Sequence, residues 1–285
     1  KNININYLQR LNKTNIGLVG FACDEGVKRN KGRVGASKAP NEIRKSLASI
    51  PYHGEKSIID VGNVECLNEG LEEAQEKLAK YVSKLLESNY IPIILGGGHE
   101  TFYGHYLGVR DAIGYDKKIG MINLDAHFDL RLDETPSSGT MFRQILEADK
   151  NAGYLCIGVQ TLGNTEQLFI TAKKYGVEFI LETEIDPIEN TFAKIDTFAN
   201  QHDYIIYTIC TDVINQAYAP GVSAPAPFGL DLSEVRAITK HVVQQDNFLS
   251  VDISEVNPTI DVAGNTSRLI SYIIAEMLMH LNEKR

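Results

Sequence analysis

Eight short apolar runs recur along the chain, at roughly Asn15–Phe21, Ser57–Val61, Ile91–Leu95, Lys118–Leu124, Gly153–Val159, Val177–Ile180, Tyr204–Ile209 and Phe248–Ile253. Near-continuous apolar runs of this length suit strands buried on both faces. Polar segments with helical spacing separate most of them. Glu72–Ser88 is the clearest: Leu78, Val82, Leu85 and Leu86 share one face, and Glu73, Glu76, Lys77 and Lys80 hold the other. Leu232–Val243 and Arg268–Leu281 read the same way, Met141–Leu146 starts a further helix, and Ala39–Arg44 begins one with Pro40 in its first turn. This alternation predicts an α/β fold: three α/β/α layers around an eight-stranded parallel sheet. With no Ser/Pro/Gly-rich linker, residues 1–285 read as a single domain. Parallel sheets place their sites at the carboxyl ends of strands, so the chemistry is sought just after each run.

Composition narrows the partners. Hydrophobic residues make up 43% of the chain, enough for a full core, and the formal charge of −9 argues against nucleic acid or an anionic membrane. No apolar run approaches the ~20 residues of a membrane span. Lys1–Ile5 carries no signal-peptide core. Cys23, Cys66, Cys156 and Cys210 are widely spaced without a C-x-x-C pair, as expected of reduced thiols in a cytoplasmic protein.

Candidate chemistry follows several runs. After the fourth stands Asp125-Ala126-His127-Phe128-Asp129. In extended backbone, positions i, i+2 and i+4 share one face, and two carboxylates with an imidazole suit a divalent ion such as Mn²⁺. A polar loop capping the next helix is the other reading. After the third run, Gly96-Gly97-Gly98 permits positive φ and close packing, and His99 then stands at the sheet mouth as a ligand candidate. The Lys-Ser/Thr ending of a phosphate loop is missing there. Cys210 and Asp212 share an i, i+2 face after the seventh run, and Glu255 falls just past the eighth. Arg131 is suited to a two-toothed contact with a substrate carboxylate. The Cys23–Ala36 segment, with three glycines and several basic residues, reads as a flexible loop that approaches an anionic ligand or, equally, as a solvated surface loop.

Taken together, these stretches resemble the ureohydrolase family of arginases, agmatinases and formimidoylglutamases. The carriers are Gly96–Glu100, Asp125–Asp129, Cys210-Thr211-Asp212, Ala219–Pro225 and Glu255-Val256-Asn257-Pro258, in that order over nearly the whole chain. The resemblance implies an arginase-like fold and two Mn²⁺ per subunit, which activate water to attack a guanidine or amidine carbon. By position, His99, Asp125, His127, Asp129 and Asp212 resemble the metal ligands. Asp125 matches the bridging carboxylate. Cys210 stands where the family has a second bridging Asp, Thr208 replaces a Ser, and Asn215-Gln216 replaces an Asp-Pro. A thiolate is softer than carboxylate, which leaves full occupancy of the second site open. Asp129 also resembles the catalytic proton shuttle, and Glu255 the catalytic acid that pairs with the amidinium.

Arg131, the string Ser137-Ser138-Gly139-Thr140 and the Cys23–Ala36 loop resemble the formimidoylglutamase branch. That branch cleaves N-formimidoyl-L-glutamate to L-glutamate and formamide in histidine degradation. Arg131, Arg29, Arg33, Ser138 and Gly139 are then expected to bind this small anionic amidine. An agmatinase or guanidino-acid hydrolase differs only in the molecule received, and a catalytically silent ligand-binding homologue is the reading outside the enzyme class. The family also implies a homo-oligomer. Finally, Cys23 and Cys210 are both expected at one sheet edge, where a disulfide would withdraw Cys210 from metal; two unrelated buried cysteines is the favoured reading.

Overall fold

The computed structural model describes residues 15–67 and 70–281, so the expectation for Lys1–Ile5 lies outside the described residues. Each apolar run becomes a strand: β1 Asn15–Ala22, β2 Ile58–Glu65, β3 Tyr90–Leu95, β4 Ile119–Leu124, β5 Ala152–Val159, β6 Glu178–Leu181, β7 Tyr204–Cys210 and β8 Phe248–Ser254. They form one sheet in the order β2-β1-β3-β8-β7-β4-β5-β6, and every pairing is parallel. The helices are α1 Glu25–Arg29, α2 Ala39–Leu47, α3 Leu71–Glu87, α4 Thr101–Ile113, α5 Met141–Ala148, α6 Glu166–Lys174, α7 Ile188–Asn200, α8 Leu232–Val243 and α9 Asn265–His280.

Strand alternation divides the interior into two cores. Ile93, Leu95, Ile205, Tyr207 and Ile209 face one side, with Ile43 of α2, Ile195 of α7, Ile238 of α8 and Ile274 of α9. Their neighbours Ile94 and Ile206 face the other, with Leu78 of α3, Phe102 of α4, Phe142 of α5 and Ala172 of α6. The expected three layers are therefore present. Leu78 and Val82, the apolar stripe of α3, are fully buried, and each such side chain contributes about 1.5–3 kcal/mol. The second strand departs from its run. It continues through the polar Asp60, Asn63 and Glu65, because an edge strand keeps much of its surface in water.

The order of strands matters for chemistry. The four neighbours β3, β8, β7 and β4 sit at the centre of the sheet, and their carboxyl ends open into His99, Glu255, Cys210–Asp212 and Asp125–Asp129 in turn. Close packing makes this possible. A Cβ on Gly97 would lie 1.8 Å from the Cys23 carbonyl oxygen, and one on Gly96 2.8 Å from that of Ile253. The Glu255 N–H donates to the Gly97 carbonyl at 2.8 Å. The expected tight approach is present, whereas positive φ is not: none of Gly96, Gly97 and Gly98 adopts it.

Candidate active site

The Asp125–Arg131 stretch is not extended. The β4 strand stops at Leu124, and the chain bends so that Asp129 takes φ +50°. The shared-face expectation is therefore replaced by a turn that aims the same side chains. Asn164 holds the turn: its Nδ2 donates to the Ala126 carbonyl at 2.9 Å and its Oδ1 accepts the Phe128 N–H at 3.0 Å. Glu255 is also left-handed, at φ +72°. A non-glycine residue there costs about 1–2 kcal/mol, so both acids are strained where chemistry is expected.

These bends bring the side chains together. His99 Nδ1 lies 2.8 Å from Asp129 Oδ2 and 3.1 Å from Asp125 Oδ2. His127 Nδ1 lies 3.3 Å from Asp212 Oδ2 and 3.5 Å from Asp125 Oδ1. Asp125 thus faces both imidazoles, one oxygen to each. The Cys210 thiol donates to Asp212 Oδ1 at 2.9 Å. Two donor sets share Asp125: His99, Asp125 and Cys210, and Asp125, His127 and Asp212, each with ligand atoms within 4.8 Å of one another. Beside them, Glu255 Oε1 accepts the backbone N–H of His99 at 2.9 Å.

The donor set fits a divalent cation. Thr208 gives its hydroxyl hydrogen to Asp252 Oδ1 at 2.8 Å, so it accepts from His99 Nε2 at 3.0 Å. The neutral ring then carries its hydrogen on Nε2, and the bare Nδ1 confronts two carboxylates. Lone pairs facing lone pairs repel unless a cation lies among them. The titration shifts agree. Burial favours neutral imidazoles, yet Asp125 and Asp129 hold His99 well above its usual range, and Asp212 and Asp125 do the same for His127. Burial and then the Asp125 charge push Asp129 up. Burial, with Glu100 and Asp212 adding to it, pushes Glu255 up to about 8. Burial and the surrounding acids also raise the Cys210 thiol.

A second row of polar residues fixes this cluster. Asp252, besides holding Thr208, contacts His105 Nδ1 at 2.7 Å, and His105 Nε2 contacts Ser250 Oγ at 2.6 Å. Asn123 Nδ2 donates to Asp125 Oδ2 at 3.1 Å. Sequence reasoning assigned none of these a role. A signal existed, because Asn123, Thr208 and Asp252 are polar positions inside apolar runs. Asn164 and Asn30 gave no such signal.

One cavity is lined by Asn30, Arg131, Ser138, Ser223 and Ala224 together with His99, His127, Asp129, Asp212 and Glu255. Gly139 packs behind: a Cβ there would meet Arg131 Cδ at 3.2 Å. Arg29 and Arg33 are not among the lining residues. The Arg29 guanidinium is taken by Glu72 at 2.6 Å and Glu25 at 3.3 Å, and Arg33 by the carbonyls of Val222 at 2.7 Å and Ser223 at 2.9 Å. Nor is Cys23–Ala36 a loose loop, since it contains α1 and is tied at several points. Asp24 Oδ2 accepts the N–H groups of Gly35 at 2.5 Å and Ser37 at 3.2 Å.

Of the two readings of Cys23 and Cys210, the disulfide gives way to two unrelated buried cysteines. All four cysteines are free. Cys23 follows β1 and Cys210 ends β7, with β3 and β8 between them. Three strand spacings make roughly 14 Å, beyond the ~7 Å between Cα atoms that a disulfide spans. The thiol neighbour of Cys23 is Cys66, beyond the adjacent β2.

Known proteins resemble this chain. The chain is 50% identical over 267 residues to the formimidoylglutamase of Geobacillus thermodenitrificans strain NG80-2, covering 92% of this chain and 83% of that one. It is 48% identical over 287 residues to the formimidoylglutamase of Lysinibacillus sphaericus strain C3-41, covering 99% and 89%. The crystal structure of Trypanosoma cruzi formiminoglutamase with Mn²⁺ superposes with a TM-score of 0.86 at 25% identity, over 94% of this chain and 93% of that one. The arginase family model matches residues 14–280, and with that match spanning sheet, helices and site alike, this chain belongs to the arginase family.

Proposed function

We infer that this chain is a Mn²⁺-dependent formimidoylglutamase, hydrolysing N-formimidoyl-L-glutamate to L-glutamate and formamide. The layout of charge in one cavity carries the reading: the buried Glu255 and His99 line it together with His127, Asp129 and Asp212, and the exposed Arg131 lines it as well. The substrate is the complement, with an amidinium at one end and carboxylates at the other. The relatives named formimidoylglutamase, up to 50% identical, support the same substrate.

His99, Asp125, His127, Asp129, Cys210 and Asp212 would hold the metal, and the two donor sets that share Asp125 support a pair of ions. A divalent cation bound there supplies a nucleophile for the amidine carbon by lowering the pKa of water from about 15.7 toward 7. The rest falls to the chain. Glu255 takes the amidinium: its carboxyl is pushed up to about 8, mainly by burial, and an arriving positive charge restores the ionised form. That pairing orients the head group with its carbon toward the cluster. Asp129, raised by burial and by Asp125, is suited to hold a proton and deliver it to the glutamate nitrogen as the C–N bond breaks. Arg131 and Ser138, with Gly139 packed behind them, receive the anionic end.

The test is formamide release from N-formimidoyl-L-glutamate, with and without added Mn²⁺, beside arginine, agmatine and 4-guanidinobutyrate. The formimidoyl substrate is expected to be fastest and dependent on metal. Preference for arginine or agmatine would replace the reading with another activity of the family. The same proposal includes one domain over residues 1–285, a cytoplasmic location and a homo-oligomer. Free thiols suit that location, and light scattering tests the assembly. Among the described residues, no helix is long and apolar enough to cross a membrane.

A further inference from the structure

We propose that Asn30 is a specificity-determining residue: it holds Arg131 and Ser138 in the pose that receives a substrate carboxylate, while Arg29 and Arg33 serve as anchors of the segment that carries it. The inference rests on the anionic amidine substrate proposed above.

Asn30 follows α1 directly, and its backbone N–H donates to the Gly26 carbonyl at 2.9 Å. Its side chain joins the two residues expected to meet the anion. Asn30 Oδ1 accepts from Arg131 Nη1 at 2.6 Å, and Asn30 Nδ2 donates to Ser138 Oγ at 3.2 Å. A guanidinium only donates, so the amide oxygen must be the atom that faces Arg131, and the amide nitrogen must face Ser138. Ser138 Oγ accepts that bond, which leaves its own hydrogen to be given to an incoming oxygen. A guanidinium has five N–H donors, so Arg131 also keeps donors for a ligand. All three residues line the cavity. One amide thus sets two donors toward the same space.

The anchors explain why Asn30 stays there. On one side, Arg29 reaches Glu72 of α3 at 2.6 Å and the Pro136 carbonyl at 3.1 Å. On the other, Arg33 donates to Val222 and Ser223, and its backbone N–H donates to Ser223 Oγ at 2.7 Å. Asn257 Nδ2 adds bonds to the carbonyls of Arg33 at 2.8 Å and Val34 at 3.1 Å. The glycine of Ser138-Gly139 fits the same account. A Cβ on Gly139 would lie 3.2 Å from Arg131 Cδ and 3.4 Å from Asn30 Nδ2, so the bare glycine leaves both partners their room.

Loss of Asn30 should therefore weaken capture of the anionic end more than the bond cleavage at the other end. In Asn30→Ala, KM for N-formimidoyl-L-glutamate is expected to rise about tenfold, the order of one hydrogen bond to a charged group, with kcat changed by less than about threefold. Inhibition by L-glutamate should weaken by the same factor. Asn30→Asp keeps the shape but pairs its charge with Arg131 and repels the anion, so KM should rise on the order of a hundredfold. An unchanged KM in both variants, or a fall in kcat as large as the rise in KM, overturns the proposal. If wild-type protein does not turn over the formimidoyl substrate, the functional reading fails by itself. Calorimetric titration with L-glutamate then decides the present point, and equal affinity in wild type and Asn30→Asp sinks it. Thermal melting of each variant identifies any loss that reflects folding, and Asn30→Ser is the substitute where Ala disturbs the end of α1.

Discussion

Asp129 and Glu255 are the two residues for which shape and chemistry separate most cleanly. Asn and Gln reproduce their outlines without the charge, so Asp129→Asn and Glu255→Gln are expected to fold and to lose at least about a hundredfold in kcat, the usual scale for a general acid or base. Near-normal turnover in metal-loaded variants would remove those roles. Thr208 is a finer probe. Thr208→Val deletes the hydroxyl that His99 Nε2 and Asp252 share, and Mn²⁺ affinity measured by calorimetry should fall about 10–100-fold. Unchanged affinity would mean that His99 needs no such partner. At this scale the sequence was informative about identity and poor about pose. The D-x-H-x-D, G-G-G-H and C-x-D strings are short and chemically marked. The sign of φ at Asp129 is written in no neighbouring residue, so alternation suggested a strand where the chain turns.

Elements were legible wherever burial is two-sided. A strand of a covered parallel sheet is apolar on both faces, which is why β3, β4 and β7 stand out as near-continuous runs broken only at Asn123 and Thr208. The Cys23–Ala36 segment was not legible, because its partners Glu72, Ser223 and Asn257 lie far along the chain. Two predictions belong here. Gly97 sits where β3 passes between the ends of β1 and β8, and a methyl group would strike backbone rather than a movable side chain. Gly97→Ala should cost upwards of about 2 kcal/mol in urea unfolding, within the range for overpacking. In α4, the buried Arg110 pairs with Asp149 at 2.5 Å and donates to the carbonyls of Lys117 at 2.8 Å and Gly114 at 3.0 Å. Removing one partner strands the other charge, so Arg110→Ala should lose about 3–5 kcal/mol in the same experiment. A loss below 1 kcal/mol would show that water reaches Asp149.

The whole molecule carries an unbalanced cluster at the centre of its sheet, and its stability should record that. In metal-free protein, burial opposes protonation of His99 and His127, but the carboxylates beside them hold both above their ordinary value. Such groups add stability that is complete below the unfolded value of about 6.5 and is lost as pH rises through the folded one. Asp129, raised by burial and by Asp125, acts in the same direction, since an acid that resists ionising opposes the fold once it must ionise. The metal-free melting temperature is therefore expected to fall from pH 7 to pH 9 by roughly 3 °C per unit for each linked proton, and Mn²⁺ should abolish the slope. A flat profile without metal would mean that the cluster is already compensated. The left-handed backbone at Asp129 and Glu255 has a further consequence. Glycine at either position would relax the chain while erasing a carboxylate, so heat tolerance and turnover pull against each other at the same two codons. A library screened for survival at high temperature, with no demand for product, should enrich inactive clones at these positions first.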